Sequence, residues 1–296
     1  MTEEELFQIV GAGIRKEQEM PEKRKWYQGI PVVSAFLLLV ILFGCLFAEV
    51  LMTKDPTYMD LLNYNKAPDR EFWFGTDTMG RDIFSMIWYG GRISLMIGLL
   101  STAISTFLAI VIGSASGVAP RWLDELIMRL TDIFLSIPSL LLVIFLQAIL
   151  GKASVISLSV VLGLTGWTSI AKVVRTEVRQ IRNSEYVIAS KCMGGSFFHI
   201  LWHHLTPNFI SSIMFMVIMN VRSAIISEST LSFMGIGLPL EIISWGSMLS
   251  LAEKALMTSS WWIILIPGIF LVVTLLCLTD IGNSLRKNVN RKERNL

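Results

Sequence analysis

The sequence predicts an all-α protein that crosses a membrane six times and keeps both termini in the cytoplasm. Hydrophobic residues make up 53% of the 296 positions and charged residues only 16%, whereas a soluble domain carries about 25% charged residues. Mean hydropathy is +0.61. Apolar stretches of about 20 residues recur along the chain, and this length crosses a ~30 Å hydrocarbon core.

The six predicted spans cover residues 30–51, 93–118, 127–150, 154–174, 208–233 and 260–281. Most of the 25 Lys and Arg residues fall in the connections that share a side with the two termini. Because cytoplasmic loops carry an excess of basic residues, this distribution predicts cytoplasmic termini.

The first apolar run is predicted to be a retained span, since it is longer than the core of a signal peptide and lacks a small-residue cleavage site. The net charge of +2 is too small to indicate nucleic-acid binding. The predicted organisation is a cytoplasmic segment 1–29, a first helix 30–51, an extracellular loop 52–91, a five-helix domain 92–283 and a basic cytoplasmic tail 284–296.

The connection between the fourth and fifth spans is amphipathic and contains two adjacent glycines, Gly194 and Gly195. Glycine adopts backbone angles that other residues avoid, so the pair suits a sharp turn. Pro207 suits the first turn of the next span, because proline has no N–H to donate. The pattern predicts a short helix, a turn, a second helix and a return to the membrane. An ordinary amphipathic connector is the alternative.

This connection resembles the EAA motif of bacterial ABC-importer permeases, with Ala189 and Ser190 as the small pair, Gly194 as the glycine and Pro207 as the proline. From about residue 30 onward, the whole chain resembles the second permease subunit of the dipeptide/oligopeptide/nickel importer family. The other matching stretches are FGTDTMGRDIFS at 74–85, MRLTDIFLSIPSLLL at 128–142, SESTLSFMGIG at 227–237 and WGSML at 245–249.

The resemblance implies a type I importer permease fold in the bacterial plasma membrane. It implies a homologous second permease, two cytoplasmic ATPase subunits and an extracytoplasmic substrate-binding protein as partners. The cargo would be a peptide, or alternatively nickel or a metal chelate. The loop 185–207 would dock on an ATPase subunit, through Glu185, Tyr186, Ala189, Ser190, Gly194, Gly195, His203 and Pro207.

The chain itself is not expected to be an enzyme. It contains no G-x-x-x-x-G-K-[ST] sequence, the loop that cradles nucleotide phosphates, so ATP and magnesium are expected in partner subunits and no cofactor in this chain. His199 and His203 have the spacing of metal ligands on a helix, but the glutamate of an HExxH site is missing. No metal site is therefore predicted.

Four charged residues in or near the spans are candidates for the translocation path or its gating, because intramembrane charges are costly. Arg129 and Asp132 are spaced to pair on one helix face and either fix packing or gate. Arg222 suits either a peptide carboxylate or a partner in the second permease. Glu228 either lines the path or caps a re-entrant turn.

The loop ahead of the second span carries Asp77, Arg81 and Asp82. These side chains either contact the binding protein or staple the loop through local ion pairs. Gly75 and Gly80 predict a tight fold that needs backbone freedom.

Two other classes of protein remain as alternatives. An intramembrane enzyme needs convergent ligands or a nucleophile–base pair, and the sequence offers none. A stand-alone ion-coupled transporter favours internal repeats or acidic residues at mid-membrane, whereas the acidic residues here lie mostly toward span ends.

Overall fold

The computed structural model describes residues 31–182, 184–194, 196–200, 206–251, 255 and 259–294, and the regular elements in these ranges are helices. This confirms the predicted all-α class. The helices are α1 (Val32–Leu46), α2 (Ala48–Leu51), a 3₁₀ turn (Leu61–Asn63), α3 (Ile83–Val118), α4 (Arg121–Ser136), α5 (Ser139–Leu150), α6 (Val155–Thr165), α7 (Thr168–Ile181), α8 (Glu185–Cys192), α9 (Phe197–Ile200), α10 (Thr206–Phe233), α11 (Trp245–Leu249) and α12 (Trp262–Arg294).

Three helices contain a stretch long and apolar enough to cross a membrane alone: Ile83–Val118, Ser212–Phe233 and Trp262–Lys287. The pairs α4–α5 and α6–α7 each qualify when they are counted as one broken span, which gives up to five spans in the described ranges. Helix α1 is apolar but has only 15 residues, about 22 Å at 1.5 Å per residue. The chain is therefore a multi-pass helical membrane protein, and the part that the structure describes contains three to five such spans.

Both broken spans bend at identifiable residues. Helices α4 and α5 meet at 93° around Ile137, which is extended because the next residue is Pro138. Helices α6 and α7 meet at 46° across Gly166 and Trp167. Neither predicted span, 127–150 or 154–174, is therefore one straight helix.

Helix α3 forms the centre of the bundle and packs against α6, α7 and α10. Small residues permit the close approach. A β-carbon at Gly117, for example, would lie 2.6 Å from Cγ1 of Val178 on α7. The two ends of this helix, called here the Asp82 end and the Val118 end, carry different kinds of structure.

The segment between α2 and α3 folds over the Asp82 end. Gly75 and Gly80 have φ values of +75° and +74°, so the predicted need for glycine at both positions is confirmed. The indole of Trp262, at the start of α12, donates to the backbone carbonyl of Thr76 at 3.1 Å. The segment is thereby fixed to the helices beneath it.

Candidate functional site

A cleft of about 350 Å³ opens where both broken spans bend. The lining comes from α4, α5, the α6–α7 junction and α10: Leu135, Ser139, Thr165, Gly166, Thr168, Ser169, Ile170, Phe215, Met216, Met219, Asn220 and Ser223. A helix break frees backbone polar groups, which a membrane tolerates only where they are buried in protein or line an aqueous cavity. The cleft lies at both breaks, and its lining combines mainly apolar surface with hydroxyl groups and one carboxamide.

Asn220 organises the wall of this cleft. Its amide nitrogen donates to Ser105 Oγ at 2.6 Å, near the middle of α3, and lies 3.5 Å from the carbonyl oxygen of Gly166. A β-carbon at Gly166 would lie 3.1 Å from Asn220 Oδ1, so glycine allows the break to approach α10. The side chain thus ties the α6–α7 break to both long spans.

Among the residues that line the cleft, none is charged. Hydroxyl groups and a carboxamide can both donate and accept hydrogen bonds. The thioethers of Met216 and Met219 adapt to different shapes. Such a surface suits a neutral polar chain that carries variable side chains.

Of the four charged residues singled out from the sequence, none lines this cleft. Arg222 is half-buried on α10, and its Nη1 lies 3.9 Å from the sulfur of Met219. Arg129 is exposed on α4. Asp132 does not bond Arg129 but accepts from Lys172 of α7 at 2.6 Å. The sequence signals for the cleft were Pro138 and Gly166, two helix breakers inside predicted spans.

Glu228 is fully buried on α10 and accepts hydrogen bonds from four serines. Ser244 and Ser232 donate to Oε1 at 2.7 and 3.0 Å, and Ser94 and Ser229 donate to Oε2 at 3.2 and 3.3 Å. Ser244 is also the N-cap of α11. The carboxylate therefore joins α3, α10 and the start of α11, which favours the turn-capping alternative over the path-lining one.

Asp77, Arg81 and Asp82 are all buried at the Asp82 end of α3. Asp77 Oδ2 accepts from Arg81 Nη2 and Nε, each at 2.7 Å. Asp82 caps α3 by accepting from the backbone and hydroxyl of Ser85 and also accepts from the hydroxyl of Thr53. Their bonds inside the loop favour the stapling alternative over direct contact with another protein.

On the exposed side of the same loop, Lys54 and Lys66 lie over the ring of Phe72 at 3.7 and 4.9 Å from its centroid. Hydrogen bonds from both lysines lower the pKa of Glu71. The backbone N–H of Phe72, followed by Lys66, lowers the pKa of Asp69. The exposed ion pairs thus brace the loop from outside.

An ion-pair cluster that the sequence analysis did not identify lies at the Val118 end. Asp124, near the start of α4, is buried and accepts from Nε and Nη2 of Arg175 at 2.5 Å each and from Nη1 of Arg179 at 3.0 Å. Ser116, on α3, also donates to Asp124 at 2.5 Å. The cluster therefore joins α3, α4 and α7.

The predicted coupling loop continues from α7 at this same end. Val187 on α8 and Ile200 on α9 are buried against α7 and α10. Ser190 is also buried, whereas Glu185 and Ala189 are exposed. The first helix of the loop is thus anchored on one face and open on the other.

The turn after α8 contains Gly194, whose φ of +85° lies in the left-handed region. Tyr186 lies in α8, and Pro207 lies in the first turn of α10. Two further residues of the predicted set, Gly195 and His203, lie outside the described residues. A helix, a turn and a second helix are therefore present as predicted, and their docking role stays a prediction.

Within the described ranges, no group of three or more His, Cys, Asp or Glu is placed to hold a metal ion.

The family model named "Binding-protein-dependent transport system inner membrane component" matches residues 109–295, more than half of the chain. The chain belongs to this family. It is accordingly a permease-type component of the plasma membrane, and the family is not itself catalytic.

Curated relatives match almost the whole chain. The oligopeptide transport system permease protein OppC of Bacillus subtilis is 35% identical over 265 residues, 90% of this chain and 86% of that protein. The dipeptide transport system permease protein DppC of the same organism is 32% identical over 265 residues, 90% and 82% of the two chains. The DppC protein of Alkalihalophilus pseudofirmus is 32% identical over 264 residues, 89% and 84%. The predicted family is confirmed.

Proposed function

We propose that this chain is one of two homologous permease subunits of an ATP-driven importer whose cargo is a di- or oligopeptide. The uncharged cleft at the two helix breaks, with its mixture of polar groups and apolar surface, carries the proposal. Its uncharged donors and acceptors complement the amide groups that every peptide backbone repeats, and its methionines tolerate varied side chains. The relatives are named for oligopeptide and dipeptide transport, which supports the peptide class.

The proposed topology has six spans and two cytoplasmic termini. It divides the chain into a cytoplasmic segment 1–29, a first helix 30–51, an extracellular loop 52–91, a five-helix domain 92–283 and a cytoplasmic tail 284–296. The excess of basic residues on one side supports this orientation. The Asp82 end of α3 then faces the binding protein, and the Val118 end faces the ATPases.

The segment 185–207 is the proposed docking element for an ATPase subunit. Helix α8 exposes Ile188 and Ala189 while Val187 is buried, and Met193 just beyond the helix is 82% exposed. Apolar side chains exposed in this way mark a surface that a partner covers. ATP and magnesium would be bound by that partner, so this chain would not hydrolyse ATP.

Movement of α8 would reach the cleft through rigid contacts. Helix α7 precedes α8, and Asp124 ties α7 to α4 through Arg175 and Arg179. Helix α4 ends at one of the breaks that form the cleft, and helix α7 begins at the other. Closure of the ATPases would then change the two bends and switch the access of the cleft from one side to the other.

Reconstitution tests the proposal. The complex of this chain with the second permease, the ATPases and the binding protein is placed in liposomes, and uptake of radiolabelled trialanine is measured with and without ATP. We expect uptake that requires both ATP and the binding protein. Uptake of nickel without any uptake of peptide would refute the peptide assignment, and uptake without ATPase subunits would refute the importer assignment.

A further inference from the structure

Five large apolar side chains project from the loop between α2 and α3. The apolar knob, as it is called here, consists of Tyr58, Met59, Leu61, Leu62 and Tyr64. All five are exposed, and Leu62 retains 98% of its accessible surface. Leu61 and Leu62 belong to the 3₁₀ turn Leu61–Asn63, and the other three residues flank it. An exposed apolar group on an otherwise polar loop marks an interaction surface.

Hydrogen bonds hold the knob in a fixed shape. Asp60 accepts from the backbone of Leu62 at 3.1 Å and from the amide of Asn63 at 2.7 Å. The carbonyl oxygen of Asn63 accepts from Thr76 Oγ1 at 2.5 Å. Thr76 is in turn held by Trp262 of α12. A surface that is ordered before binding loses little conformational entropy when a partner arrives.

The charges around the knob favour a protein partner over a lipid surface. Between residues 55 and 65 the sequence contains two aspartates, Asp55 and Asp60, and no Lys, Arg or His. Hydrogen bonds from the hydroxyl and backbone of Thr57 lower the pKa of Asp55, so this carboxylate stays charged. Electrostatic binding to lipid surfaces is a property of basic segments, and the flank of the knob is acidic instead, so its charges do not support adsorption to lipid.

The nearest basic residues do not offset this negative charge. Lys54 pairs with Glu71 at 2.7 Å, and Lys66 pairs with Asp69 at 2.9 Å. Both ammonium groups are thus neutralised within the loop. The knob therefore presents an apolar centre with an acidic flank, and tyrosine, methionine and leucine are suited to the desolvated centre of a protein interface.

We infer that the apolar knob docks into an apolar depression with a basic rim on the extracytoplasmic binding protein. The inference rests on the proposed function, which places this loop outside the cytoplasm. It also gives Asp77, Arg81 and Asp82 a consistent role, since these buried side chains hold the scaffold that presents the knob. The matching family is described as binding-protein-dependent, which supplies the class of partner.

The double substitution Tyr58→Ala with Leu62→Ser tests the docking. The full complex in nanodiscs is titrated with the binding protein that supports uptake by the wild type, and stimulated ATP hydrolysis is measured. We expect the half-stimulating concentration to rise at least tenfold, with basal hydrolysis unchanged. Leu240→Ser is the matched control, because Leu240 is an exposed apolar residue between α10 and α11 and lies outside the knob.

Three outcomes would overturn the inference: an unchanged half-stimulating concentration, an equal shift in the Leu240 control, or loss of the second permease from the purified variant complex. A photocrosslinker in place of Leu62 gives an independent measurement. Crosslinking to the binding protein is expected, and crosslinking only to the second permease or to lipid would contradict it. If no binding protein stimulates the wild type, the proposed function fails too. A stimulated wild type with an unshifted variant defeats only the docking inference.

Discussion

The two ends of α3 each hold an ion-pair cluster around a buried aspartate, but the clusters join different parts of the chain. At the Asp82 end, Asp77 pairs with Arg81 four residues later, and both side chains are at most 5% exposed. At the Val118 end, Asp124 pairs with Arg175 and Arg179, which lie 51 and 55 residues further along the chain. One cluster closes a loop on itself, whereas the other connects separate helices.

This difference separates a fixed surface from a moving one. Loss of the local pair loosens only the loop that carries the apolar knob. Loss of the remote cluster removes the link between α7 and α4 that is centred on a buried carboxylate and leaves the exposed Asp132–Lys172 pair between them. It therefore weakens the connection between the proposed ATPase contact and the cleft. Removing one partner of a buried ion pair is strongly destabilising because it leaves a charge uncompensated. Substitutions in the two clusters should consequently be detected by different assays.

The largest effect is expected for Asp124→Ala. It leaves Arg175 and Arg179 without Asp124, but their side chains are 24% and 46% exposed, so we expect a cost of about 3 kcal/mol, at the lower end for breaking a buried pair. We expect peptide uptake by the reconstituted complex to fall by about a hundredfold while the ATPases continue to hydrolyse ATP. Uptake and hydrolysis are measured in the same liposomes.

The matched control is Asp132→Ala, which breaks a different ion pair between the same two helices. The pair of Asp132 with Lys172 is exposed, with 62% and 41% of the side chains accessible, and exposed pairs contribute about 0–1 kcal/mol. Near-normal uptake is expected. Equal losses for the two variants would mean that the buried cluster has no special part in coupling.

A smaller, local effect is expected for Arg81→Ala. It removes two hydrogen bonds to the buried carboxylate of Asp77. Because the backbone N–H groups of Met79 and Arg81 still donate to this carboxylate, we expect a cost of about 2 kcal/mol, as for hydrogen bonds to a charged group. Trypsin cleavage after the exposed Arg70 should accelerate about thirtyfold, with basal ATP hydrolysis unchanged. Arg121→Ala removes an exposed pair of the same spacing and should not alter cleavage at Arg70. Reduced basal hydrolysis in the Arg81 variant would contradict the claim that the effect of this cluster is confined to the loop at the Asp82 end.

Between the two ends, Asn220→Leu tests the cleft. The variant removes the hydrogen bond to Ser105 and one polar group of the wall. If the lost polar group also bonds the cargo, one neutral hydrogen bond of about 1 kcal/mol is lost from peptide binding. The peptide concentration for half-maximal uptake should then rise about fivefold. The response of the ATPases to the binding protein should stay normal. An unchanged half-maximal concentration would argue that cargo does not touch Asn220.

The smallest effect concerns pH at the Asp82 end. Hydrogen bonds lower the folded-state pKa of Asp69 and Glu71, so their contribution is complete above the ordinary acid range near pH 4 and is lost as the pH falls through the lowered values. The measurement uses a cleavage site for an acid-tolerant protease that is engineered next to Arg70. The rate of cleavage at this site should stay constant from about pH 8 to 5 and should rise only below pH 5. A rise already between pH 7 and 6 would show that other groups hold the loop.

Sequence patterns predict the local features of this molecule better than the remote ones. Apolar length places α3, α10 and α12, and the four-residue spacing of Asp77 and Arg81 already suggests a staple. A hydropathy profile does not report bends in a helix, so it does not predict the breaks at Pro138 and Gly166 inside two of the predicted spans.

The Asp124 cluster could not be predicted, because spacing along one helix says nothing about a partner on another helix. The same limit explains why Asp132 pairs with Lys172 rather than with Arg129, its neighbour on the same helix. Glu228 was recognised as unusual, but its four serine donors come from three parts of the chain. Only the folded arrangement distinguishes a turn cap from a path-lining acid.

The central claim, that the loop 185–207 transmits ATP-driven movement, is tested most directly by Gly194→Ala against Gly235→Ala. Both glycines have positive φ, +85° and +76°, and open space around a new β-carbon. Each substitution therefore costs a similar backbone strain of about 1–2 kcal/mol. Gly194 lies between α8 and α9, inside the loop, and Gly235 lies just beyond the end of α10, outside it. The measurement is the number of peptides imported per ATP hydrolysed. A ratio that collapses only in the Gly194 variant is predicted, and equal ratios in the two variants would contradict the claim.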